Sequence, residues 1–262
     1  MDDPQLVRRI RELAADRPRF GYRRIHALVR RDDRWKTINR KVVYRLYRAA
    51  GLAVRRRRQS KMRITRPLPS KPATQRNERW SMDFVHDSLA DGRPFRAFNV
   101  VDAYTRECHA IEVASSLPAG RIVAVLEHLV QVHGLPTSLR VDNGPEFISI
   151  TLGRWAERRG IKLDFIQPGK PTQNAHIESF NGRFRDECLA QHRFPTLPRA
   201  KAEIELYRVD YNNERPHSAL NYRTPRDFGI LARTTKPASP GAAAALFDRD
   251  PQPQGRDRAQ SN

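Results

Sequence analysis

The spacing of hydrophobic residues divides the chain into a helical first part and a mixed second part. Apolar residues recur at helical intervals over residues 4–15, 22–30 and 39–51, which predicts three short helices. Asn39 is a preferred N-cap residue, and Gly51 suits the position that follows a helix end. Residues 1–54 are therefore predicted to form a small all-α module.

Alternating apolar residues begin at Trp80 and indicate strands. Three strands come first, and helices then alternate with further strands. The predicted strands cover residues 80–86, 95–101, 105–113, 138–141 and 162–166, and the predicted helices cover residues 117–132, 151–159 and 174–189. This βββαβαβα order predicts an α/β fold with a mixed sheet, because antiparallel strands precede helical crossovers.

The ribonuclease-H-like (RNase H-like) fold has this strand order and places its first and fourth strands side by side at the sheet centre. Residues 80–232 are the predicted RNase H-like core with a C-terminal helical extension. Residues 233–262 are dominated by Pro, Gly, Ala, Gln and Arg and lack hydrophobic periodicity. They are predicted to be a disordered tail.

Charge is distributed unevenly between the two parts. The 262 residues carry a net charge of +20, and residues 1–79 hold 25 Lys and Arg against 7 Asp and Glu, a net charge of +18. A chain this basic favours a polyanionic partner, and nucleic acid is the first to consider.

We expect the N-terminal module to be a helix-turn-helix unit that binds double-stranded DNA, and residues 55–79 to be an extended basic linker along the phosphates. The predicted contacts are Arg40, Lys41 and Arg45 in the module and Arg55, Arg56, Arg57 and Arg58 in the linker. The alternative for the module is an ordinary three-helix bundle with solvated charges.

Cysteine usage and hydropathy indicate the compartment. Cys108 and Cys188 are too few for a disulfide framework, and no cysteine cluster is present to hold zinc. The N-terminus has no apolar signal segment, and no run of about 18 apolar residues occurs. We expect a cytoplasmic protein without a membrane partner.

Three carboxylates stand where the predicted fold would bring them together. Asp83 lies within the first strand, Asp142 at the exit of the fourth, and Glu178 on the helix that packs across the sheet. An unpaired charge between Met82 and Phe84 is costly without a partner or a metal ion. Three convergent carboxylates are able to hold two Mg²⁺ ions on either side of a phosphodiester bond. These carboxylates are the predicted catalytic residues and metal ligands.

The helix over residues 174–189 favours Glu178 as the third carboxylate. At about 100° per residue, a buried stripe forms, and Glu178 lies beside it together with Arg185, roughly 10 Å further along the axis. The stripe consists of Ile177, Phe180, Phe184 and Cys188. Arg185 suits a neighbouring phosphate, and Asn174, Asn181 and the loop residue Lys170 are further predicted DNA contacts.

Several other acids compete for the catalytic role. They are Asp87, Asp91, Asp102, Glu146, Asp164, Asp186 and Glu187. Asp102 is the strongest competitor because it also ends a strand, but we interpret it as the start of a turn over residues 102–105.

His176 is either a general base or metal ligand, or a histidine that faces solvent or DNA. Gly144 is explained by the turn after Asp142.

Four segments resemble bacterial insertion-sequence transposases of the DDE superfamily, which is similar to retroviral integrases. They are a Trp-x-x-Asp-Phe strand at residues 80–84, a Val-Asp-Asn-Gly-Pro-Glu-Phe turn at 141–147, a helix over 173–185, and a Tyr-Asn-Asn-Glu-Arg-Pro-His segment at 211–217. Asp142 and Glu178 are separated by 35 residues, as in that family. Residues 21–26 and 39–46 also resemble its helix-turn-helix, so the resemblance covers about residues 18–230.

The resemblance implies an integrase core in which the three carboxylates form the acidic triad, with Mg²⁺ or Mn²⁺ as cofactor. Arg185 stands where the family carries Lys or Arg seven residues after the Glu. The implied chemistry is hydrolytic nicking to a free 3′-OH, which then attacks another phosphodiester. The resemblance also implies a homo-oligomer on DNA in the bacterial nucleoid.

An upstream-frame protein often supplies such transposases with another helix-turn-helix and a leucine zipper, and we expect this partner here. The zinc module of retroviral integrases has no counterpart in residues 1–79, which contain one His and no Cys. Two other functions stay open: a DNA-binding regulator with an inert core, and an RNase H-type nuclease. Retention of the triad argues against the regulator, and the helix-turn-helix and basic linker suit duplex DNA better than an RNA/DNA hybrid.

Overall fold

The computed structural model describes residues 3–54, 71–167 and 171–234. Predictions for residues 55–70, for Lys170 and for residues 235–262 lie outside these ranges. The helices are α1 (Pro4–Asp16), α2 (Tyr22–Val29), α3 (Arg40–Ala49), α4 (Ala119–His133), α5 (Ile150–Arg159), α6 (Ala175–Glu187), α7 (Leu197–Asn213) and α8 (Pro225–Thr234). The strands are β1 (Arg79–Ser88), β2 (Pro94–Asp102), β3 (Cys108–Ala114), β4 (Ser138–Val141) and β5 (Lys162–Phe165).

The N-terminal module consists of α1, α2 and α3 around a core of its own. The predicted N-cap is confirmed, because the Asn39 side chain accepts the N–H of Lys41 at 2.8 Å. Gly51 follows α3 with φ +71°, a conformation that glycine adopts without steric cost. Ile10, Ile25 and Val43, one from each helix, are at most 1% exposed. The three predicted helices are therefore present and packed against one another.

Five strands form one sheet in the order β3-β2-β1-β4-β5. β1 pairs antiparallel with β2 and parallel with β4, and β4 pairs parallel with β5. The first and fourth strands are thus neighbours at the centre, and the predicted RNase H-like arrangement is confirmed.

Helices cover both faces of this sheet. Side chains of α6 and α7 pack on the face that carries Val85 and Ala97. Side chains of α4 and α5 pack on the face that carries Met82 and Phe98. Because strand residues alternate between faces, Asp83 points to the same side as Val85, toward α6.

Three predicted boundaries were wrong by a few residues. β3 begins at Cys108 rather than at 105, because Asp102 Oδ1 accepts the N–H groups of Tyr104 and Thr105 and closes a turn. α4 begins at Ala119 rather than at 117, because Pro118 is its N-cap. α6 begins at Ala175, since residues 171–174 form a 3₁₀ turn.

The N-terminal module docks on the helical extension of the core through ion pairs. Arg17 binds both carboxylate oxygens of Asp210. Arg31 donates to the Glu214 carboxylate at 2.7 Å, and Arg24 lies 3.4 Å from Glu187. The helices in the described part of the chain are too short or too polar to cross a membrane.

Candidate active site

Asp83 and Asp142 lie side by side at the centre of the sheet. The parallel register pairs Trp80 with Leu139 and Ser81 with Arg140. Extending this register by two residues brings Asp142, the residue that follows β4, beside Asp83, and the charge of Asp142 acts on the Asp83 carboxylate by raising its pKa. The strand order therefore brings the first two predicted carboxylates together.

The Asp83 carboxylate is half-buried and held from two sides. Asn181 Nδ2 on α6 donates to Oδ2 at 2.7 Å, and the N–H of Phe84 donates to Oδ1 at 2.7 Å. Asn99, the β2 partner of Asp83, donates in turn to the Asn181 carbonyl oxygen at 2.7 Å. Burial raises the pKa of Asp83 to about 6, and the negative charge of Asp142 adds to the rise.

A tight turn after β4 fixes Asp142. The N–H of Gly144 donates to Asp142 Oδ1 at 2.9 Å, and a Cβ at Gly144 would lie 3.0 Å from that oxygen. Phe147 is buried and stacks on Phe84, at 5.2 Å between ring centroids. The interpretation of Gly144 as a turn residue is confirmed, and the physical reason is close approach rather than a positive φ.

Glu178 lies on the exposed side of α6, one turn before Asn181. The predicted stripe on this helix is confirmed, since Ile177, Phe180, Phe184 and Cys188 are all fully buried. Partial burial raises the pKa of Glu178. Arg185 is exposed two turns further on, and its positive charge lowers the pKa of Asp83 against the effect of burial. Arg185 is thus close enough to Asp83 to act on its charge, and Glu178 lies on the same side of α6.

The three carboxylates do not all approach within 4.8 Å of one another. In the described residues, the only three His, Cys, Asp or Glu side chains this close belong to Glu107, His109 and His133. Arg76 lies 3.8 Å from the Glu107 carboxylate and 3.3 Å from His133 Nδ1. This guanidinium supplies positive charge to the cluster, which lies at the start of β3 and the end of α4, away from Asp83.

Among the described residues, most of the competing acids form ion pairs, and the three predicted catalytic carboxylates do not. Arg140 donates to Asp164 at 2.5 Å, and the other pairs in this group are Arg96 with Glu146, Arg215 with Glu187 and Arg93 with Asp91. Asp102 is fully buried and accepts three backbone N–H groups, from Asn77, Tyr104 and Thr105. Within the described part of the chain, neither Asp83, Asp142 nor Glu178 forms an ion pair.

Two of the predicted DNA contacts are buried, and three others are exposed. Asn181 and Asn174 are 2% and 4% exposed. Asn174 donates to the Met82 carbonyl at 3.4 Å, so neither amide is presented to solvent. Their predicted role therefore needs correction, because both side chains are buried in the packing of α6 on the sheet. The side chains of Arg40, Lys41 and Arg45 are exposed on α3.

Five of the predicted DNA contacts lie outside the described residues. They are Lys170, Arg55, Arg56, Arg57 and Arg58. His176 is half-buried, and burial together with Arg106, Arg79 and Arg140 lowers its pKa to about 4. Sequence reasoning missed Asn99, although a lone amide inside the apolar run of β2 was the available indication.

Comparisons with known proteins agree with this geometry. The family model described as integrase core domain matches residues 73–171, and a second model with that description matches residues 159–225. A model described as HTH-like domain matches residues 2–60. In solved structures, a chain of the simian T-cell lymphotropic virus intasome in complex with PP2A regulatory subunit B56 gamma aligns with TM-score 0.55 at 14% identity. The alignment covers 97% of this chain and 80% of that chain, and it shows the fold.

Curated relatives show the family. The insertion element IS407 uncharacterized 31.7 kDa protein of Burkholderia multivorans is 49% identical over 237 residues, which are 89% of this chain and 83% of the relative. The insertion element IS476 uncharacterized 39.2 kDa protein of Xanthomonas euvesicatoria is 42% identical, over 90% of this chain and 69% of the relative. Transposase InsD for insertion element IS2 of Escherichia coli is 27% identical, over 87% and 79%. The chain belongs to the insertion-element transposases that carry an integrase core domain, and it is a DNA transposase.

Proposed function

We propose that Asp83, Asp142 and Glu178 bind the divalent cations with which this transposase cleaves DNA and transfers a strand. The observation that carries the proposal is the parallel pairing of β1 with β4, which brings Asp142, at the end of β4, close enough to Asp83 to raise its pKa, while neither carboxylate forms an ion pair in the described residues. Two such carboxylates repel each other in a chain whose net charge is +20. Glu178 joins them as the exposed carboxylate on the helix whose Asn181 holds Asp83.

The donor set fits a hard divalent cation. All three ligands are carboxylates, which Mg²⁺ and Mn²⁺ prefer. Burial, with the negative charge of Asp142 added, raises the pKa of Asp83 and disfavours its charged form, and a bound cation would favour that charged form. We propose two ions, because three carboxylates with open positions for water and phosphate suit a two-metal site. When bound, such ions activate the attacking oxygen and stabilise the leaving oxygen of a phosphodiester.

The surrounding residues keep this site in shape and hold the substrate. Asn181 holds the Asp83 carboxylate by donating to Oδ2, while the N–H of Phe84 donates to Oδ1. Arg185 is exposed on the same helix and is free of ion pairs in the described residues, so it is available for a DNA phosphate. The exposed Arg40, Lys41 and Arg45 on α3 would contact the duplex through the module.

We also propose an oligomeric state, a partner, a domain division and a location for the protein. The active form is a homo-oligomer on DNA, supported by the similarity of nearly the whole chain to a chain of a viral intasome. An upstream-frame transposase protein takes part, as the resemblance to insertion-sequence transposases implies. The chain is divided into the module over residues 1–54, the linker, the core and the tail, with the predicted core bounds of 80 and 232 moved to Arg79 and Thr234, where β1 begins and α8 ends. The protein works in the cytoplasm on nucleoid DNA.

Cleavage of a supercoiled plasmid that carries the flanking DNA of the gene tests the proposal. We expect nicked and strand-transfer products with Mg²⁺ or Mn²⁺, none with EDTA, and none from Asp142→Asn or Glu178→Gln. Asp186→Asn is the matched control, because it removes an exposed carboxylate from the same helix. DNA binding, measured in parallel, should persist in all variants.

Wild-type activity in Glu178→Gln would remove that residue from the site. Products from the wild type that are insensitive to EDTA would contradict the metal-ion mechanism. If the wild type gives no products, the assay is repeated with the upstream-frame protein fused to the chain, and inactivity of that fusion would contradict the proposed function.

A further inference from the structure

A positively charged cavity lies between the N-terminal module and the core, beside α6. Its volume is about 180 Å³. The charged and polar side chains that line it come from α2, the turn before β3, α6, α7 and the segment after α7. They include Arg24, Arg106, His176, Ser179, Arg183 and Arg215, and Tyr211, His217 and Ser218 complete the polar lining. Four guanidinium groups thus meet in a small space with no carboxylate in its lining.

Only part of this positive charge is neutralised. Arg215 donates through two nitrogens to Glu187, at 2.6 Å each, and Arg24 lies 3.4 Å from the same carboxylate. Arg106 and Arg183 form no ion pair in the described residues. Arg106 Nη1 is buried and has no hydrogen-bond partner. Burial lowers the pKa of Arg106 and the positive charge of Arg183 adds to the shift, while Tyr211 and the buried Asp102 carboxylate oppose it.

The backbone at Arg106 is strained. Its φ is +64°, in the left-handed region that residues other than glycine seldom adopt. The conformation follows from the turn in which the N–H of Arg106 donates to the Asp102 carbonyl at 3.0 Å. This strain accompanies a buried guanidinium nitrogen without a hydrogen-bond partner. Neither feature stabilises the free protein, which points to a ligand.

We propose that this cavity binds a backbone phosphate of the DNA, with Arg106 and Arg183 as its charged ligands. Ser179 and His176 line the same cavity and carry further hydrogen-bonding groups. Planar guanidinium groups suit phosphate oxygens because they donate two parallel hydrogen bonds. This inference rests on the proposed function and adds a second point at which the core holds its substrate.

The cavity and the carboxylates share α6 but lie on different sides of it. His176, Ser179 and Arg183 follow one another at helical intervals and face the cavity. At about 100° per residue, Glu178 and Arg185 lie roughly 140° around the helix from them. A phosphate in the cavity would therefore hold a part of the DNA that passes α6 on the side away from the reacting bond.

Thermal unfolding with inorganic phosphate as the probe tests the site in the full chain. The variants are Arg106→Asn, since Asn tolerates a positive φ, and Arg183→Gln. Arg93→Gln is the control, because it removes one exposed charge from the β1–β2 hairpin. We expect phosphate to raise the Tm of the wild type and Arg93→Gln above chloride at equal ionic strength. The gain should be lost in Arg106→Asn and Arg183→Gln.

The same variants separate a ligand site from a structural one. Without phosphate, Arg106→Asn should have a Tm equal to or above that of the wild type, because it removes an unpaired buried cation. A lower Tm, with an unchanged phosphate response, would overturn the proposal and make Arg106 structural. An equal phosphate gain in all four proteins would place anion binding elsewhere.

Duplex binding distinguishes DNA from a free anion. The slope of log affinity against log salt should fall by about 1 in Arg106→Asn and in Arg183→Gln relative to Arg93→Gln. An unchanged slope, with the phosphate response lost, would assign the cavity to a small anion and refute the DNA contact. Both measurements need no cleavage, so an inactive plasmid assay would refute the proposed function without deciding this one.

Discussion

Asp83 should make the free protein less stable as the pH rises, and Asp83→Asn should remove that dependence. The ordinary pKa of 3.8 applies in the unfolded chain, and the folded value is about 6. Between these values the unfolded state has released its proton and the folded state has not, so stability falls with increasing pH. At 1.36 kcal/mol per unit, the loss above pH 6 is about 3 kcal/mol at most.

Urea and thermal unfolding from pH 4 to pH 8, without divalent cations, measures this effect. The free energy of unfolding of Asp83→Asn minus that of the wild type should grow by up to about 3 kcal/mol over the range. For a protein of this size, the corresponding change in Tm is on the order of 6 to 12 °C. The substitution also costs one hydrogen bond, but that cost is the same at every pH and cancels in the slope.

Two controls decide the interpretation. Asp186→Asn removes an exposed carboxylate from α6 and should follow the wild type at every pH. Added Mg²⁺ should restore stability to the wild type at pH 8 and not to Asp83→Asn, because a bound cation favours the charged carboxylate. A stability difference that stays flat from pH 4 to pH 8 would refute the view of Asp83 as a carboxylate short of positive charge.

Three further predictions address the supports of the site. Asn181→Leu should cut plasmid cleavage at least about tenfold with unchanged DNA affinity. It should also shift the pH profile of cleavage upward, because the Asn181 amide lowers the pKa of Asp83 and its loss would raise that pKa. An unshifted profile would leave Asn181 a packing residue only. Gly144→Ala should impair cleavage while preserving the fold, because its Cβ meets the Asp142 carboxylate oxygen at 3.0 Å; full activity would show that the turn relaxes. A double-mutant cycle with Arg17→Ala and Asp210→Ala should give a coupling energy of about 1 kcal/mol in unfolding. Zero coupling would show that this ion pair does not hold the module on the core.

Hydrophobic periodicity was sufficient to predict most of the fold. Alternation at Trp80 and helical spacing around Ile177 determine which faces are buried, and burial follows the same rule in the structure. The boundaries that were wrong depend on side chains that bond to nearby backbone. Asp102 shortens β3 by accepting two N–H groups, an interaction that no periodic pattern indicates.

The candidate site was predictable in its carboxylates and not in its supports. Asp83 and Asp142 follow from strand order, because adjacent parallel strands bring their ends together. Asn181 was interpreted as a DNA contact because helix geometry places it near Glu178. In the structure, Asn99 on β2 donates to the side-chain oxygen of Asn181, and Asn181 donates to Asp83. These tertiary partners show that the Asn181 amide is directed inward. Helix periodicity alone does not show which polar group of a neighbouring strand contacts a residue on that helix.

The charge of the chain also has a different meaning once its ion pairs are known. The sequence assigns a net charge of +18 to residues 1–79, which favours DNA as the partner of the whole segment. Arg17, Arg24 and Arg31 instead bind carboxylates of the core, so part of this charge orients the module. These exposed and half-exposed pairs weaken with salt, as phosphate contacts do. The salt dependence of DNA binding therefore reports the docking of α3 relative to the active site as well as the number of phosphates held.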